Sequence, residues 1–281
     1  MDVSGTIPCR LCGGTSIHVF DKRVLESRNV AYFRCESCNS IETEWPVWLD
    51  EAYAIPPNHI DVGSGSRTVK NWMALTTLLG ALSFSRDAMA VDFGSATGLL
   101  GRLMRDVGYN FHSFDKYASS IFSSYFSVDD PLRVAPKLIT AFEVFEHLPE
   151  PRTTLDQLFS AGASLIVFTT WFCDGQNSDW VYFVEECGQH VFFYSEQAMR
   201  DIAGRHGYDL KSTEFFHVLI KRPAFSREQL AAFDEYVLNS GQKVRDAVVE
   251  TFESVRNSNE FIDRDFEAAR ARFKREVWQR R

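Results

Sequence analysis

Short apolar runs rich in β-branched and aromatic residues alternate with helix-patterned segments over residues 67–222. A chain with that alternation folds as a mostly parallel sheet whose strands are joined by crossover helices. Helices are expected over about 68–82 and from the cap residue Ser195 to about His206. The predicted fold class is therefore α/β, with strands at 88–94, 110–115, 137–142, 164–170 and 215–221.

The chain divides into four parts by composition and pattern. Residues 1–45 hold four cysteines in two close pairs, and 46–66 form a linker that holds Pro56, Pro57 and a Gly-Ser stretch. Residues 67–222 carry the sheet pattern, and 223–281 form a helical extension with apolar residues at helical spacing. We expect two or three amphipathic helices in this extension, which could cover the rest of the chain or form a homodimer.

The overall charge limits the choice of partner. The formal net charge is −8 and the sequence pI is about 5.4, whereas nucleic-acid-binding proteins usually carry a basic surface. Nucleic acid is therefore not expected as the main partner. The apolar runs are too short to span a membrane, and the N-terminus lacks the pattern of a secretory signal. By elimination, a cytoplasmic location is expected.

The strongest motif is a glycine turn, Asp92-Phe-Gly94-Ser-Ala96-Thr-Gly98, placed between the first strand and a helix. Small residues at alternate positions let the backbone turn tightly and approach a ligand closely. The following helix N-terminus offers free N–H groups to an anionic group. Asp115 ends the second strand, where a carboxylate can accept hydrogen bonds from both hydroxyls of a ribose. These features predict a site for a nucleoside-like cofactor.

The glycine turn, Asp115 and the segment Thr140-Ala-Phe-Glu-Val-Phe-Glu-His-Leu-Pro-Glu-Pro151 together resemble the class I S-adenosylmethionine (SAM)-dependent methyltransferases. Residues 188–195 resemble the subgroup that contains ubiquinone-pathway and sugar-modifying enzymes. The resemblance implies a Rossmann-like sheet with a reversed last strand, and methyl transfer by direct displacement. Ala96 is a departure, because many members have glycine there. The cofactor-binding residues that the resemblance implies are Asp92, Gly94, Ser95, Ala96, Gly98, Asp115, Lys116, Phe142 and Glu143.

The N-terminal cysteines form the pattern C-x₂-C-x₂₂-C-x₂-C, which is close to the spacing of zinc ribbons. Two C-x₂-C turns complete a tetrahedral set of thiolates, and a closed set leaves no open position for a substrate. We therefore expect a zinc-ribbon-like module with one structural zinc held by Cys9, Cys12, Cys35 and Cys38. The module resembles those of some methyltransferases that act on nucleotide-linked deoxysugars.

A third group of residues follows the strand at 137–142. Glu143, Glu146 and His147 stand directly after it, and His190 lies on a later loop. Two carboxylates and two imidazoles in one pocket could bind a divalent cation. Small-RNA 3′-terminal 2′-O-methyltransferases resemble this pattern and use such a metal to hold a vicinal diol. The alternatives are a generic strand-to-helix segment, or acid–base chemistry without a metal.

The candidate catalytic residues are His190, Glu146 and His147. His190 is the first choice for a general base, because histidine titrates near neutral pH. The alternative is that it only packs or bonds the backbone. Trp171, Trp180 and nearby aromatic residues could form a stacking surface for a sugar ring or a small core of their own.

The predicted function is SAM-dependent methyl transfer to a small or glycan-like substrate. The acceptor is expected to be a hydroxyl of a sugar, a sugar nucleotide or a surface polysaccharide unit. One alternative is an RNA 2′-O-methyltransferase that uses a divalent metal. The acidic net charge disfavours this alternative, because RNA is a polyanion. The other is a non-catalytic binding module with a SAM fold, which the intact set of Asp92, Gly94, Gly98 and Asp115 opposes.

Overall fold

The computed structural model describes residues 5–54, 62–256, 259–273 and 275. Pro56 and Pro57 of the predicted linker, and most of the basic end after residue 273, lie outside the described residues. The chain forms two compact units. The first unit comprises Met1–Ser64, Phe142–Ser160 and Phe168–Leu210, and the second comprises Gly65–Ala141, Ala161–Val167 and Lys211–Arg281. The four-part division expected from composition stays a prediction.

The described residues form eleven strands and seven helices. The strands are β1 (Thr6–Pro8), β2 (Thr15–Val24), β3 (Arg28–Cys35), β4 (Ile41–Thr43), β5 (Ala90–Phe93), β6 (Phe111–Phe114), β7 (Leu138–Phe142), β8 (Leu165–Thr169), β9 (Phe192–Phe193), β10 (Asp209–Ser212) and β11 (His217–Ile220). The helices are α1 (Leu49–Ala54), α2 (Ser64–Ala81), α3 (Leu99–Asp106), α4 (Pro151–Ser160), α5 (Glu196–Arg205), α6 (Arg227–Arg256) and α7 (Asn259–Phe273).

The second unit carries most of a six-stranded sheet in the order β10-β11-β8-β7-β5-β6. Strand β5 is parallel to both β6 and β7, so Val91 lies beside His112 on one side and Ile139 on the other. The central strands are apolar and buried over most of their length, as expected where helices cover both faces of a sheet. The predicted fold class, an α/β Rossmann-like sheet flanked by helices, is confirmed.

The first unit holds a separate five-stranded antiparallel sheet in the order β1-β2-β3-β4-β9. Its first four strands come from the cysteine-rich N-terminal segment. The fifth, β9, comes from far along the chain and pairs Phe193 with Ile41. An aromatic core that includes Tyr32, Phe183 and Phe193 lies against this sheet. The sequence pattern did not predict β9, because two residues are too few for a period to show.

Helix ends follow the expected local signals. Ser195 caps α5, and its hydroxyl accepts a hydrogen bond from the Ala198 amide at 3.0 Å. The C-terminal extension forms α6 and α7, as the apolar spacing predicted. Asp265 of α7 is buried and forms a bidentate ion pair with Arg105 of α3, at 2.6 and 2.7 Å. Among the described helices, none combines the length and the hydropathy needed to cross a membrane.

Candidate functional site

The glycine turn follows β5 in the second unit. Gly94 and Gly98 both have φ of 76°, and Ala96 has φ of 46°, so all three lie in the left-handed region. A Cβ on Gly98 would lie 2.0 Å from Ser120 Oγ, which leaves no room for a larger residue. Glycine is thus required at 98 by both conformation and space. Ala96 adopts the same region at a modest cost in strain.

Asp115, at the end of β6, is hydrogen-bonded to this turn. Its Oδ2 accepts from the Ala96 amide at 2.8 Å, and its Oδ1 accepts from the Tyr117 and Ala118 amides at 2.8 Å each. The Gly94 amide also donates to the carbonyl of Phe114 at 2.8 Å. The two motifs that the sequence linked only by spacing are therefore adjacent. Lys116 lies beside Asp115 in the chain, and its Nζ is 5.1 Å from the ring centre of Tyr117.

Asp92 precedes the turn and is buried at 4% exposure. The Thr140 hydroxyl donates to its Oδ1 at 2.7 Å. Burial raises the pKa of Asp92 to about 7, and the nearby charge of Asp115 adds to that shift. Asp92 therefore supports the turn from the protein interior, and its carboxyl is partly protonated near neutral pH.

A cavity of about 380 Å³ opens beside the turn, within the second unit. Its wall is rich in serine hydroxyls, and the Oγ atoms of Ser95 and Ser113 are buried with no hydrogen-bond partner in the described part of the chain. The lining residues are Ser95, Ser113, Phe114, Asp115, Ala118, Ser119, Ser120, Ser124, Ser127, Val128 and Asp129. Sequence reasoning missed all of these except Ser95 and Asp115. The sequence feature that could have indicated this polar wall is the group of six serines from position 113 to position 127.

A second group of polar side chains lies in the first unit. One donor atom each from Glu146, His147 and His190 can be chosen so that the three lie within 4.8 Å of one another. The imidazole rings of His147 and His190 meet edge to face, with centres 4.8 Å apart. The structure thus brings together three of the four residues that the sequence grouped. Glu143 is not part of this 4.8 Å group, and its amide donates to Thr169 Oγ1 at 2.8 Å.

Hydrogen bonds hold each member of this group. The Tyr182 hydroxyl donates to Glu146 Oε1 at 2.7 Å. His190 Nδ1 lies 2.7 Å from the Tyr182 carbonyl, which can only accept, so His190 carries its N–H on Nδ1. His147 Nδ1 lies 3.2 Å from the Tyr53 hydroxyl. Sequence reasoning did not assign Tyr53 or this role of Tyr182.

Burial sets the protonation of the group. It lowers the pKa of His190 to about 4, and burial together with His190 lowers the pKa of His147. Both imidazoles are therefore neutral at pH 7. Burial, together with the negative charge of Glu143, raises the pKa of Glu146 to about 8. At this pKa, Glu146 is mostly protonated at neutral pH.

The four N-terminal cysteines form a compact cluster in the first unit. All four sulfur atoms lie within 4.8 Å of one another, with Cys12 Sγ to Cys35 Sγ at 3.4 Å and Cys9 Sγ to Cys38 Sγ at 3.8 Å. Each pair makes a tight turn in which an amide points at a sulfur. The Gly14 amide is 3.3 Å from Cys12 Sγ, and the Cys38 amide is 3.4 Å from Cys35 Sγ.

The aromatic segment after β8 forms mostly core. Trp180, Tyr182 and Phe183 are buried, whereas Trp171 is 54% exposed. Trp171 stacks on Tyr182 with ring centres 5.0 Å apart and an angle of 10° between the planes. Three of these four rings therefore belong to a core. Only the exposed ring of Trp171, among the four, is placed where a sugar ring could stack on it.

Comparison with known proteins places the chain in a class. Residues 66–213 match the family model described as a methyltransferase domain. The match covers more than half of the chain, so the protein belongs to this family of SAM-dependent methyltransferases and is an enzyme. No curated protein sequence matches the chain closely enough to count as a relative.

Solved structures with a similar fold are distant in sequence. Magnesium protoporphyrin IX methyltransferase from Synechocystis PCC 6803 is 13% identical with a TM-score of 0.41, over 63% of this chain and 94% of that one. The 1,6-didemethyltoxoflavin-N1-methyltransferase from Burkholderia thailandensis is 11% identical with a TM-score of 0.42, over 68% and 93%. A possible histamine N-methyltransferase from Thermotoga maritima is 9% identical with a TM-score of 0.42, over 61% and 98%.

Proposed function

We propose that the protein transfers the methyl group of SAM to a hydroxyl of a small, sugar-like acceptor. The observation that carries this proposal is the glycine turn bonded to Asp115 beside a serine-lined cavity. Membership of the methyltransferase family supports an enzyme over a non-catalytic binding module.

The residues around the turn fit SAM on two observations. A Cβ on Gly98 would collide with Ser120, which lines the cavity, so glycine lets the turn pack directly against the cavity wall. The buried hydroxyls of Ser95 and Ser113 find no partner in the described residues, and buried polar groups of this kind are normally satisfied. A nucleoside in the cavity would supply the missing hydrogen bonds.

Each part of the turn has a separate task in this proposal. Asp115 would accept hydrogen bonds from the ribose hydroxyls, and the first amides of α3, after Gly98, would face the carboxylate end of SAM. When bound, SAM supplies a methyl group on a positively charged sulfur, which keeps the electron pair of the broken bond. The chain must align the acceptor oxygen with that methyl group and remove the acceptor proton.

We assign the acceptor end of the reaction to the group of Glu146, His147 and His190. His190 is a neutral imidazole with its lone pair on Nε2, the form that a general base requires. Its pKa of about 4 makes it a weak base when alone. The three side chains would therefore act together on one hydroxyl, with Tyr182 and Tyr53 as positioning residues.

A sugar-like acceptor is supported by three features. The N-terminal cysteine module resembles that of enzymes acting on nucleotide-linked deoxysugars. The net charge of −8 disfavours a polyanionic acceptor such as RNA. The exposed ring of Trp171, held flat by Tyr182, offers an apolar face on which a sugar ring can stack.

We also propose that the cysteine cluster holds one structural zinc ion. Zinc–sulfur bonds of about 2.3 Å in a tetrahedron place the sulfurs about 3.8 Å apart. The Sγ–Sγ distances of 3.4 Å for Cys12–Cys35 and 3.8 Å for Cys9–Cys38 are close to that value. The two amides aimed at sulfur atoms would stabilise thiolates, which are the ligand form.

Calorimetry with SAM and with its demethylated product tests the cofactor site. We expect binding in the micromolar range, and Asp115→Ala should weaken it by about 1.5–3 kcal/mol because charge-assisted hydrogen bonds are lost. Asp87→Ala, an exposed aspartate of the same unit, is the matched control and should bind as the wild type does. A folded wild-type protein that binds neither compound would refute the proposal.

A screen for product release over free sugars, sugar nucleotides and oligonucleotides tests the acceptor. Turnover with a sugar or sugar nucleotide is the expected result. Turnover with oligonucleotides alone would overturn the acceptor class while leaving methyl transfer in place.

A further inference from the structure

We infer that Arg10 is a positioning residue for the acceptor side of the reaction. It lies between Cys9 and Cys12, in the first turn of the cysteine cluster. Its side chain joins the two chain segments that carry His147 and His190. The place of Arg10 between these segments stands on its hydrogen bonds, whereas its role in turnover rests on the proposed function.

The first argument is that all three nitrogen atoms of the Arg10 guanidinium donate hydrogen bonds. Nε donates to Glu42 Oε2 at 2.8 Å, and Nη1 donates to the Pro149 carbonyl at 3.1 Å. Nη2 donates to the carbonyls of Val191 at 2.7 Å and Thr43 at 3.1 Å. Because the guanidinium is planar and rigid, it fixes the Pro149 and Val191 carbonyls relative to each other.

The second argument is that these two carbonyls belong to the segments of the candidate acceptor group. Pro149 follows His147 by two residues, and Val191 follows His190 directly. The Val191 amide also donates to the Glu146 carbonyl at 2.9 Å, so the two segments are already in contact beside the group. The guanidinium adds a second bridge between them. A shift of either bridged carbonyl would therefore displace the neighbouring imidazole ring.

The third argument is that the charge of Arg10 is compensated away from water. Its side chain is 11% exposed, and that of Glu42 is 1% exposed. Glu42 also accepts from the Ser16 hydroxyl at 2.7 Å and from the Arg10 amide at 3.1 Å. Well-packed apolar residues can often replace a buried ion pair without loss of stability, so stability alone does not account for this pair. The two carbonyl contacts account for it, because an apolar side chain cannot make them.

Lysine is not equivalent to arginine at this position. Its ammonium is a compact point charge, whereas the guanidinium presents its N–H groups in a fixed plane. Arg10→Lys therefore keeps a positive charge near Glu42 but cannot reproduce the bridge between Pro149 and Val191. The substitution tests the planar geometry separately from the charge.

The experiment compares Arg10→Lys with wild type, both full-length and shown to be folded by far-UV circular dichroism. With the acceptor found by screening, kcat should fall by about 10- to 100-fold, because small misplacements of reacting groups have effects of that order. SAM affinity measured by calorimetry should not change. The proton on His190 Nδ1, followed by nitrogen-15 NMR of histidine-labelled protein, should exchange with water faster by about tenfold or more, because its segment is held less firmly.

Arg34→Lys is the matched control. Arg34 lies in β3 of the same sheet, and its Nη2 donates to the Gln176 carbonyl at 2.9 Å, so it also connects the N-terminal segment to a later loop. Gln176 lies well before His190 in the chain. Arg34→Lys should therefore keep the wild-type kcat and the wild-type exchange of the His190 proton.

A double variant covers the case in which Arg10→Lys does not fold. Arg10→Met combined with Glu42→Met replaces the ion pair by apolar side chains, a change that many proteins tolerate. The double variant should bind SAM as wild type does and should show the same loss of kcat and the same faster proton exchange at His190.

Two results would overturn the inference. One is a folded Arg10→Lys protein with the kcat and the His190 proton exchange of wild type. The other is a folded double variant that turns over as fast as wild type. A wild-type protein that methylates no acceptor would refute the proposed function instead. In that case the exchange of the His190 proton still decides whether Arg10 holds the segment in place.

Discussion

The first unit contains two groups of side chains with the donor atoms to hold a metal ion, and the two groups differ in nearly every respect. The cysteine cluster consists of four like donors from two short turns of the N-terminal segment. The group of Glu146, His147 and His190 has mixed donors, and His190 is separated from the other two by more than 40 residues. The four sulfurs of the first set face one another, whereas in the second set the buried Oε2 of Glu146 accepts no hydrogen bond within 3.5 Å from the residues that the structure describes. The difference fits the proposal that one group serves the fold and the other serves chemistry.

The largest expected effect tests the structural side of this comparison. Cys35→Ser should lose the zinc ion and unfold the sheet of residues 5–45, because structural zinc contributes on the order of 10 kcal/mol of binding free energy. Elemental analysis and amide hydrogen exchange over these residues measure both effects. Cys187→Ser lies outside the cluster and should retain the metal. A Cys35→Ser protein that still carries one zinc per chain would exclude the assigned ligand set.

The next effect tests the chemical side. Glu146→Gln should lower kcat by about 10²- to 10⁴-fold, because an ionisable group at the acceptor would be lost. SAM affinity should stay near the wild-type value, because the glycine turn and Asp115, on which the proposed SAM site mainly rests, belong to the second unit. Steady-state turnover with the acceptor found by screening, together with calorimetry, separates the two quantities. An equal loss of SAM affinity would argue for a general structural role instead.

A buried acid in the second unit provides a contrast to Glu146. Asp92 is buried but has a hydrogen bond from Thr140, and its pKa is raised from 3.8 to about 7. The folded state therefore binds the proton more tightly than the unfolded state, and the free energy of unfolding should fall as pH rises from about 4 to about 7. Asp92→Asn removes this loss, which amounts to at most about 4 kcal/mol.

Urea unfolding at several pH values between 4 and 8 measures the Asp92 effect. The stability of Asp92→Asn relative to wild type should increase over that range. Asp87→Asn, on the surface of the same unit, should show no such increase. Parallel curves for Asp92→Asn and wild type would mean that Asp92 titrates alike in both states.

The smallest expected effect concerns a positioning residue. Tyr182→Phe removes the hydroxyl that bonds Glu146 Oε1 but keeps the ring that supports Trp171. We expect a loss of about 1–2 kcal/mol in kcat/KM, with KM for a sugar acceptor little changed. A variant that changes KM and leaves kcat intact would place Tyr182 in acceptor binding rather than in positioning Glu146.

The parts of the structure that sequence predicted are those with local physical causes. Gly98 must be glycine because its φ is positive and Ser120 occupies the space of a Cβ. Ser195 caps a helix because its hydroxyl reaches an amide three residues ahead. Both requirements act within a short stretch of chain, so residue type and spacing reveal them.

The parts that sequence did not predict depend on distant pairings. The hydrogen bond between Tyr182 and Glu146 and the contact of Tyr53 with His147 join residues far apart in the chain. The serine cavity arises from the irregular path of residues 115–129, which has no period to recognise. Glu143 lies next to the polar group in sequence, yet its positive φ of 54° marks a break in direction that spacing alone does not show.

Strand β9 lies far along the chain from its partner β4, and this separation has a consequence for folding during synthesis. Strand β4 ends at Thr43 and its partner β9 begins at Phe192, so about 150 residues must be synthesised between them. At ribosomal rates of about 5–20 residues per second, this interval lasts on the order of ten seconds. During that time the nascent N-terminal sheet has an open edge at β4, where another chain could pair. The four cysteines leave the ribosome well before β9 does. Zinc binding at that stage would stabilise strands β1 to β4 until β9 has been synthesised and can pair with β4.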